Sequence, residues 1–263
     1  MHAFDRIVVG LDGTDFGFEA LRQTLTLGPP DGVVYAVTAL DTSIAVHAGF
    51  NMSNVATQLE EEADRARATA TEIMDDQPDH TTKLVRGDAR SVLRHACAEY
   101  DATLLALGGR SSSRFLGMMT GETASTLLHE AALSVLLARP QWGKQWQPNR
   151  IVVGLDGSEF SLAALSVADD LADRFGAAIQ VVTATGGKPV ERGGAWAERV
   201  TDWDPGHPVA ALRDRSTLAD LLILGSRGLH GVKALGSISE RVAQSAHCLA
   251  LVIHPQPPSS LSG

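Results

Sequence analysis

The octapeptide RIVVGLDG occurs twice in this chain, at residues 6–13 and again at 150–157. An identical stretch 144 positions apart means two copies of one folding unit within 263 residues. Each copy opens with a β-branched run, Ile7 to Val9 or Ile151 to Val153, suited to a buried strand. Asp-Gly then supplies a tight turn, and Thr14 or Ser158 a hydroxyl at the N-cap of a helix.

Composition agrees with two small α/β units. A hydrophobic content of 44% is enough for packed cores, and the absence of a long apolar run excludes a membrane span. No basic segment followed by an apolar one opens the chain, so no secretory signal is expected. Cys97 and Cys248 are two isolated thiols, which suits a reducing compartment, and a cytoplasmic location is expected. A net charge of -9 with 22 basic residues argues against nucleic acid as a partner, because that binding depends on neutralising phosphates.

In the first unit, helical spacing predicts a helix over 15–27 with Ala20, Leu21 and Leu25 inward, ending at Gly28-Pro29-Pro30. A strand is expected at 33–39. Ser53 reads as the N-cap of a long helix carrying Val55, Leu59, Ala63, Ala66, Ala70 and Ile73 on one face, with Glu60, Glu61 and Glu62 on a solvated one. Strands at 83–86, 103–107 and 135–138 alternate with helices at 91–99 and from the glycine loop, 108–121, to about 130. This alternation implies a parallel sheet covered on both faces through right-handed crossovers. The second unit repeats the plan at 158–175, 179–183, 221–224, 237–245 and 249–253. It is 27 residues shorter, and the glycine-rich stretch 186–194 stands where the Ser53 helix would be. Residues 139–146, RPQWGKQW, read as a linker whose Trp142 and Trp146 pack at the junction.

The loop GSRGLHGVKALGSISE, residues 225–240, follows a strand and precedes a helix. Glycines let a backbone approach phosphate closely, and the first N–H groups of a helix favour anions. Ser237 can donate to a phosphate oxygen, and Asp156 at the end of the first strand can reach a ribose hydroxyl or Mg²⁺. Equally, the loop can be a tight connection in which Ser237 and Glu240 form a capping box, and Asp12 and Asp156 can cap their own Asp-Gly turns. His95, His129, His230, His247 and His254 lack metal-site spacing, Lys233 reads as solvated, and neither a nucleophile elbow nor a Walker sequence is present.

Together, the duplicated Val-Gly-Leu-Asp-Gly start, the late glycine loop and the closing apolar strand resemble the universal stress protein family in its tandem form. The resemblance covers nearly the whole chain. It implies two tandem doubly wound α/β domains with mostly parallel five-stranded sheets, adenine nucleotide α-hydrolase-like: residues 1–139, a linker at 140–149, a shortened domain lacking one helix at 150–255, and a tail at 256–263. It also implies a pseudo-dimer through the last strands, 135–138 and 249–253, which would bury apolar edges, and it allows a homodimer of whole chains. In the ATP-binding branch an Asp follows the first strand, the second strand's end offers backbone to adenine, and Gly-x-x-Gly, nine residues, then Gly-Ser or Gly-Thr holds the phosphates. By position, Asp12 and Asp156 match the first feature and Val37 and Val182 the second. Gly108 and Gly121 in unit one, and Gly225, Gly228, Gly236 and Ser237 in unit two, match parts of the third.

Neither loop is a full match. Unit one keeps the length but has Ser111 for the second glycine and Glu122 for the hydroxyl residue, a carboxylate that would repel a triphosphate. Unit two keeps the residues, but seven rather than nine separate Gly228 from Gly236. One occupied site per chain at most is the expectation. Three readings follow: a regulatory protein that binds ATP or a related adenine nucleotide, with or without Mg²⁺; a nucleotide-free, stress-associated scaffold; and a slow ATPase, for which no base or nucleophile is evident.

Overall fold

A computed structural model describes residues 4–41, 52–74, 79–109, 133–140, 146–188, 193–226 and 237–254, with side chains from residue 57 in the second of these segments. The chain divides into two compact units, residues 1–128 with 136–146 and residues 129–135 with 147–263, most of the strand Ser134–Ala138 falling in the first.

In the first unit β1 (Arg6–Leu11) leads through α1 (Asp15–Leu27) to β2 (Val33–Leu40), and α2 (Met52–Ile73) leads to β3 (Thr81–Arg86). Then come α3 (Ala89–Glu99), β4 (Leu104–Gly108) and β5 (Ser134–Ala138). The strand order is β3-β2-β1-β4-β5. β1 pairs in parallel with both β2 and β4, so the order reverses between β1 and β4. Such a reversal opens a crevice at the carboxyl ends of the two strands. β1, β4 and β5 are buried almost throughout, as strands covered on both faces must be.

Local chemistry sets the helix boundaries. Thr14 caps α1 and its side chain accepts from the Gly17 N–H, while Asp88 caps α3 by accepting from Ser91 N–H at 2.9 Å. Ser53 was expected to cap the long helix. The helix instead begins at Met52 and places Ser53 inside its first turn, a shift within the ordinary imprecision of helix ends. Along α2, Leu59, Ala63, Ala66 and Ala70 are buried as the spacing predicts, and Leu59 and Ala63 pack with Leu40 of β2. On α1, Leu25 is only half-buried, whereas Gln23 is fully buried. Burial of its amide nitrogen is tolerable because Gln23 Nε2 donates to the Arg139 carbonyl at 2.7 Å and to Glu19 Oε1 at 2.8 Å.

The second unit contains β6 (Arg150–Gly154), α4 (Glu159–Phe175) and β7 (Ala178–Ala184). It continues with α5 (Ala195–Glu198), β8 (Asp202–Asp204), α6 (Pro208–Arg215), β9 (Leu221–Gly225), α7 (Ile238–Ser245) and β10 (Leu249–Ile253). Its order, β10-β9-β6-β7-β8, reproduces that of the first unit, and β6 pairs in parallel with β7 and β9. Where the sequence suggested the loss of a helix, a single turn of four residues, α5, holds the place in chain order that the 22 residues of α2 hold in the first unit. The short strand β8 and helix α6 gave no periodic signal, because Asp-Trp-Asp is not an apolar run and α6 buries only Ala211 and Leu212. Among the described residues, no helix is long and apolar enough to cross a membrane.

Candidate functional site

In each unit the crevice at the order reversal lies between an Asp-Gly turn and a strand ending in glycine. Asp12 is buried, and its Oδ1 accepts from Thr14 N–H at 3.1 Å and from Thr14 Oγ1–H at 2.6 Å. In unit two Asp156 Oδ1 accepts from Ser158 N–H at 3.0 Å and Ser158 Oγ–H at 2.6 Å. The two turns are thus built alike. The hydroxyl donates to the aspartate and accepts from the helix's third residue, Gly17 N–H at 3.4 Å or Ser161 N–H at 3.3 Å. The aspartate therefore orients the cap, and the turn-capping reading holds for both copies. Asp156 differs from Asp12 in being exposed, so its carboxylate faces solvent at the carboxyl edge.

Val37 and Val182 are buried within β2 and β7, each the fifth residue of its strand rather than the last. In unit two the Val182 carbonyl accepts from Leu155 N–H at 2.9 Å, and the buried Thr183 Oγ1 donates to the Leu155 carbonyl at 2.7 Å. β7 thereby grips the residue before Asp156 by both its backbone groups. That grip uses the carbonyl expected to meet a base.

The first glycine of each loop has a cause in packing. A β-carbon on Gly108 would lie 2.9 Å from the carbonyl carbon of Phe16 in the first turn of α1. On Gly225 it would lie 2.3 Å from the carbonyl carbon of Phe160 in α4. Strand end and helix start touch through backbone, so no side chain fits between them. Ser237 caps α7, accepting from Glu240 N–H at 3.2 Å, while Glu240 Oε1 accepts from Gln244. The cap uses an oxygen lone pair and leaves the hydroxyl proton for another acceptor. Gly121, Gly228 and Gly236, with Ser111, Glu122 and Lys233, lie outside the described residues.

Three features at these edges carry no clear sequence signal. Arg139, buried just beyond β5, lies against Gly109 at the start of the first glycine loop, its Nη1 donating to the Ala138 carbonyl at 3.1 Å. Arg215 pairs with Asp202 at 2.8 Å and Asp204 at 2.5 Å, joining α6 to β8. The Gly206 N–H and then Arg215 hold the Asp204 carboxyl below its ordinary range. Trp196 of α5 lies on Gly157, in the Asp-Gly turn itself. Gly109 and Arg139 are 30 residues apart in sequence, and Gly157 and Trp196 are 39 apart. Among the described residues, no group of three acidic, histidine or cysteine side chains can hold a metal. Burial pushes the Cys97 thiol up to about 12, which removes it as a nucleophile.

These crevices define a class: tandem, doubly wound α/β units, each with an aspartate-oriented N-cap facing a glycine-ended strand across the point where strand order reverses. The profile of the universal stress protein family matches residues 3–139 and 186–254, and the chain belongs to that family. It is 30% identical over 182 residues to a universal stress protein of Mycobacterium tuberculosis strain H37Rv, covering 58% of this chain and 61% of the relative. A Mycolicibacterium smegmatis relative is 29% identical over 189 residues, covering 60% of this chain and 64% of that protein. The chain thus spans somewhat over three fifths of the length of the curated relatives it matches. The fold is shared with the crystal structure of a universal stress protein from Archaeoglobus fulgidus, with a TM-score of 0.70, 16% identity and 95% and 96% of the two chains covered. A Pseudomonas aeruginosa structure described as a putative universal stress protein aligns with a TM-score of 0.63, 16% identity and 95% and 93% coverage.

Proposed function

We propose that this chain is a stress-response regulatory protein that binds ATP or a related adenine nucleotide in at least one of its two units. The observation that carries the reading is the crevice built twice from the same parts. An aspartate at the end of the first strand holds a helix N-cap, opposite a strand that opens a glycine loop. Helix N–H groups and glycine backbone suit phosphate, and an exposed carboxylate such as Asp156 suits a ribose hydroxyl or Mg²⁺. Residues 1–139 and 150–255 are the two universal stress protein-like domains in this reading, of which at least one takes the nucleotide. Bound nucleotide biases one of two states of the protein, which a partner reads.

Calorimetric titration with ATP and Mg²⁺ tests it. Saturable binding that is lost in the Asp12→Ala/Asp156→Ala double variant supports the assignment, and undiminished binding there overturns it.

A second reading is a nucleotide-free scaffold of the same fold. It is favoured by Gly108 and Gly225, whose presence follows from contact with Phe16 and Phe160 without any ligand. Stoichiometric nucleotide in the purified protein would rule it out.

A further inference from the structure

In unit one a guanidinium is packed onto the start of the first glycine loop. Arg139 follows the last residue of β5 and is only 7% exposed. A β-carbon on Gly109 would overlap its Nη1 and fall 2.6 Å from its Cζ, so glycine at 109 is what lets the guanidinium lie there. The Gly109 N–H donates to the Ala138 carbonyl at 2.9 Å, and Arg139 Nη1 donates to the same carbonyl at 3.1 Å. One residue earlier, Gly108 touches the first turn of α1, where a β-carbon on it would stand 3.1 Å from Gly17 N. The end of β4 is thus flanked by positive potential on two sides, the N-terminal end of a 13-residue helix and a permanent cation.

The duplication supplies a control. Unit two makes the same joint, with the Ser226 N–H donating to the Ile253 carbonyl at 2.9 Å. There the residue after the fourth strand carries a side chain, and the residue after the last strand is His254, which is half-buried. The joint therefore requires neither the glycine nor the arginine. Taking a guanidinium out of water carries a desolvation cost. Holding the loop to the last strand does not account for that cost, since unit two achieves it without one.

We propose that Arg139 is a phosphate-binding residue and that unit one is the unit that holds the nucleotide. The inference rests on the nucleotide reading above and adds which loop takes the phosphates and through which side chain. A planar guanidinium meets phosphate oxygens through paired N–H donors, and its charge does not titrate. It also supplies the charge opposite to Glu122, the carboxylate of the same loop that taken alone repels a triphosphate. Discrimination follows from this chemistry. The contribution of Arg139 grows with the charge on the phosphate chain and is absent for the nucleoside.

The full-length chain and its Arg139→Met, Arg139→Gln and Arg139→Lys variants are titrated with ATP, ADP, AMP and adenosine in the presence of Mg²⁺. Arg139→Met keeps an apolar stem in the buried place, and Arg139→Gln keeps a polar end. Loss of a charge-assisted contact should weaken ATP binding in both by about tenfold or more, less for AMP, and leave adenosine binding unchanged. Arg139→Lys, which keeps the charge without the fork, should restore part of the ATP affinity. Unchanged ATP binding in the methionine and glutamine variants, with the parent binding ATP, overturns the role of Arg139 and leaves the nucleotide reading standing. Equal losses for ATP and adenosine make Arg139 a support of the loop's shape and also overturn it. Failure of both uncharged variants to fold shows a structural need for the cation and overturns it as well. Silence of the parent toward all four compounds overturns the proposal together with the nucleotide reading.

Discussion

The backbone at Gly225 lies so close to Phe160 that a β-carbon on the glycine would stand 2.3 Å from both the carbonyl carbon and the carbonyl oxygen of the phenylalanine. The atoms in the way are backbone, so no rotamer change relieves the clash. Either β9 or the first turn of α4 must shift. Gly225→Ala should therefore destabilise unit two by roughly 1–3 kcal/mol, the usual cost of overpacking. Gly108→Ala, facing Phe16 at 2.9 Å, should cost less. Urea denaturation without nucleotide is the measurement. Were Gly225 there for phosphate alone, the alanine variant would unfold at the parent's urea concentration.

The N-caps of α1 and α4 should be interchangeable in kind. Thr14→Ser and Ser158→Thr keep the hydroxyl that donates to the aspartate and accepts from the helix. Thr14→Ala and Ser158→Ala each lose it, at about 1 kcal/mol. Thermal melting of the four variants checks this, and equal losses in the serine–threonine exchanges and the alanine variants would contradict it.

Stability should fall in two separate steps on acidification. His80 Nδ1 accepts from Val34 N–H at 3.2 Å, which only the neutral imidazole can do, and burial lowers its pKa below 6.5. The unfolded chain then binds the proton first, so His80's contribution is intact above about pH 6.5 and is lost as pH falls through the folded value. Asp88 and Asp204 are held below 3.8, chiefly by backbone N–H groups of Ser91 and Gly206. Their contribution persists above that value and disappears as pH falls through their lower folded values. Denaturation midpoints measured across pH should lose the first step in His80→Gln. Persistence of that step would place its origin elsewhere.

Cys97 should be inert in the native protein. Its thiol is buried and pushed up to about 12, and Cys248 is buried as well. Ellman's reagent should react with neither thiol on the timescale of mixing at neutral pH, and with both after denaturation. Rapid native labelling would show that one of them reaches solvent.

Much of the fold was legible because its signals are local. The duplicated octapeptide marked two strands, two turns and two caps, and Thr14, Ser158 and Ser237 stand at the helix starts where their hydroxyls predicted. The loops were less transparent. Glycine at 108 and 225 serves backbone packing against Phe16 and Phe160, a need that a glycine-rich string does not distinguish from room for phosphate. β8 carries no signal of its own because three residues of Asp-Trp-Asp form a strand only beside β7, where Asp202 pairs with Val182.

What lies within a few residues along the chain, then, could be reasoned out from the amino-acid order: the repeat, the β-branched runs, the caps and the family they resemble. Those depend on hydrophobic periodicity and on hydrogen bonds that a side chain makes to its own neighbourhood. The meeting of Trp196 with Gly157, of Arg215 with the carboxylates of β8, and of Arg139 with Gly109 was decided by the folded molecule. Each joins segments that only the strand order brings to the same edge, and the approach of two elements is set by how whole faces pack.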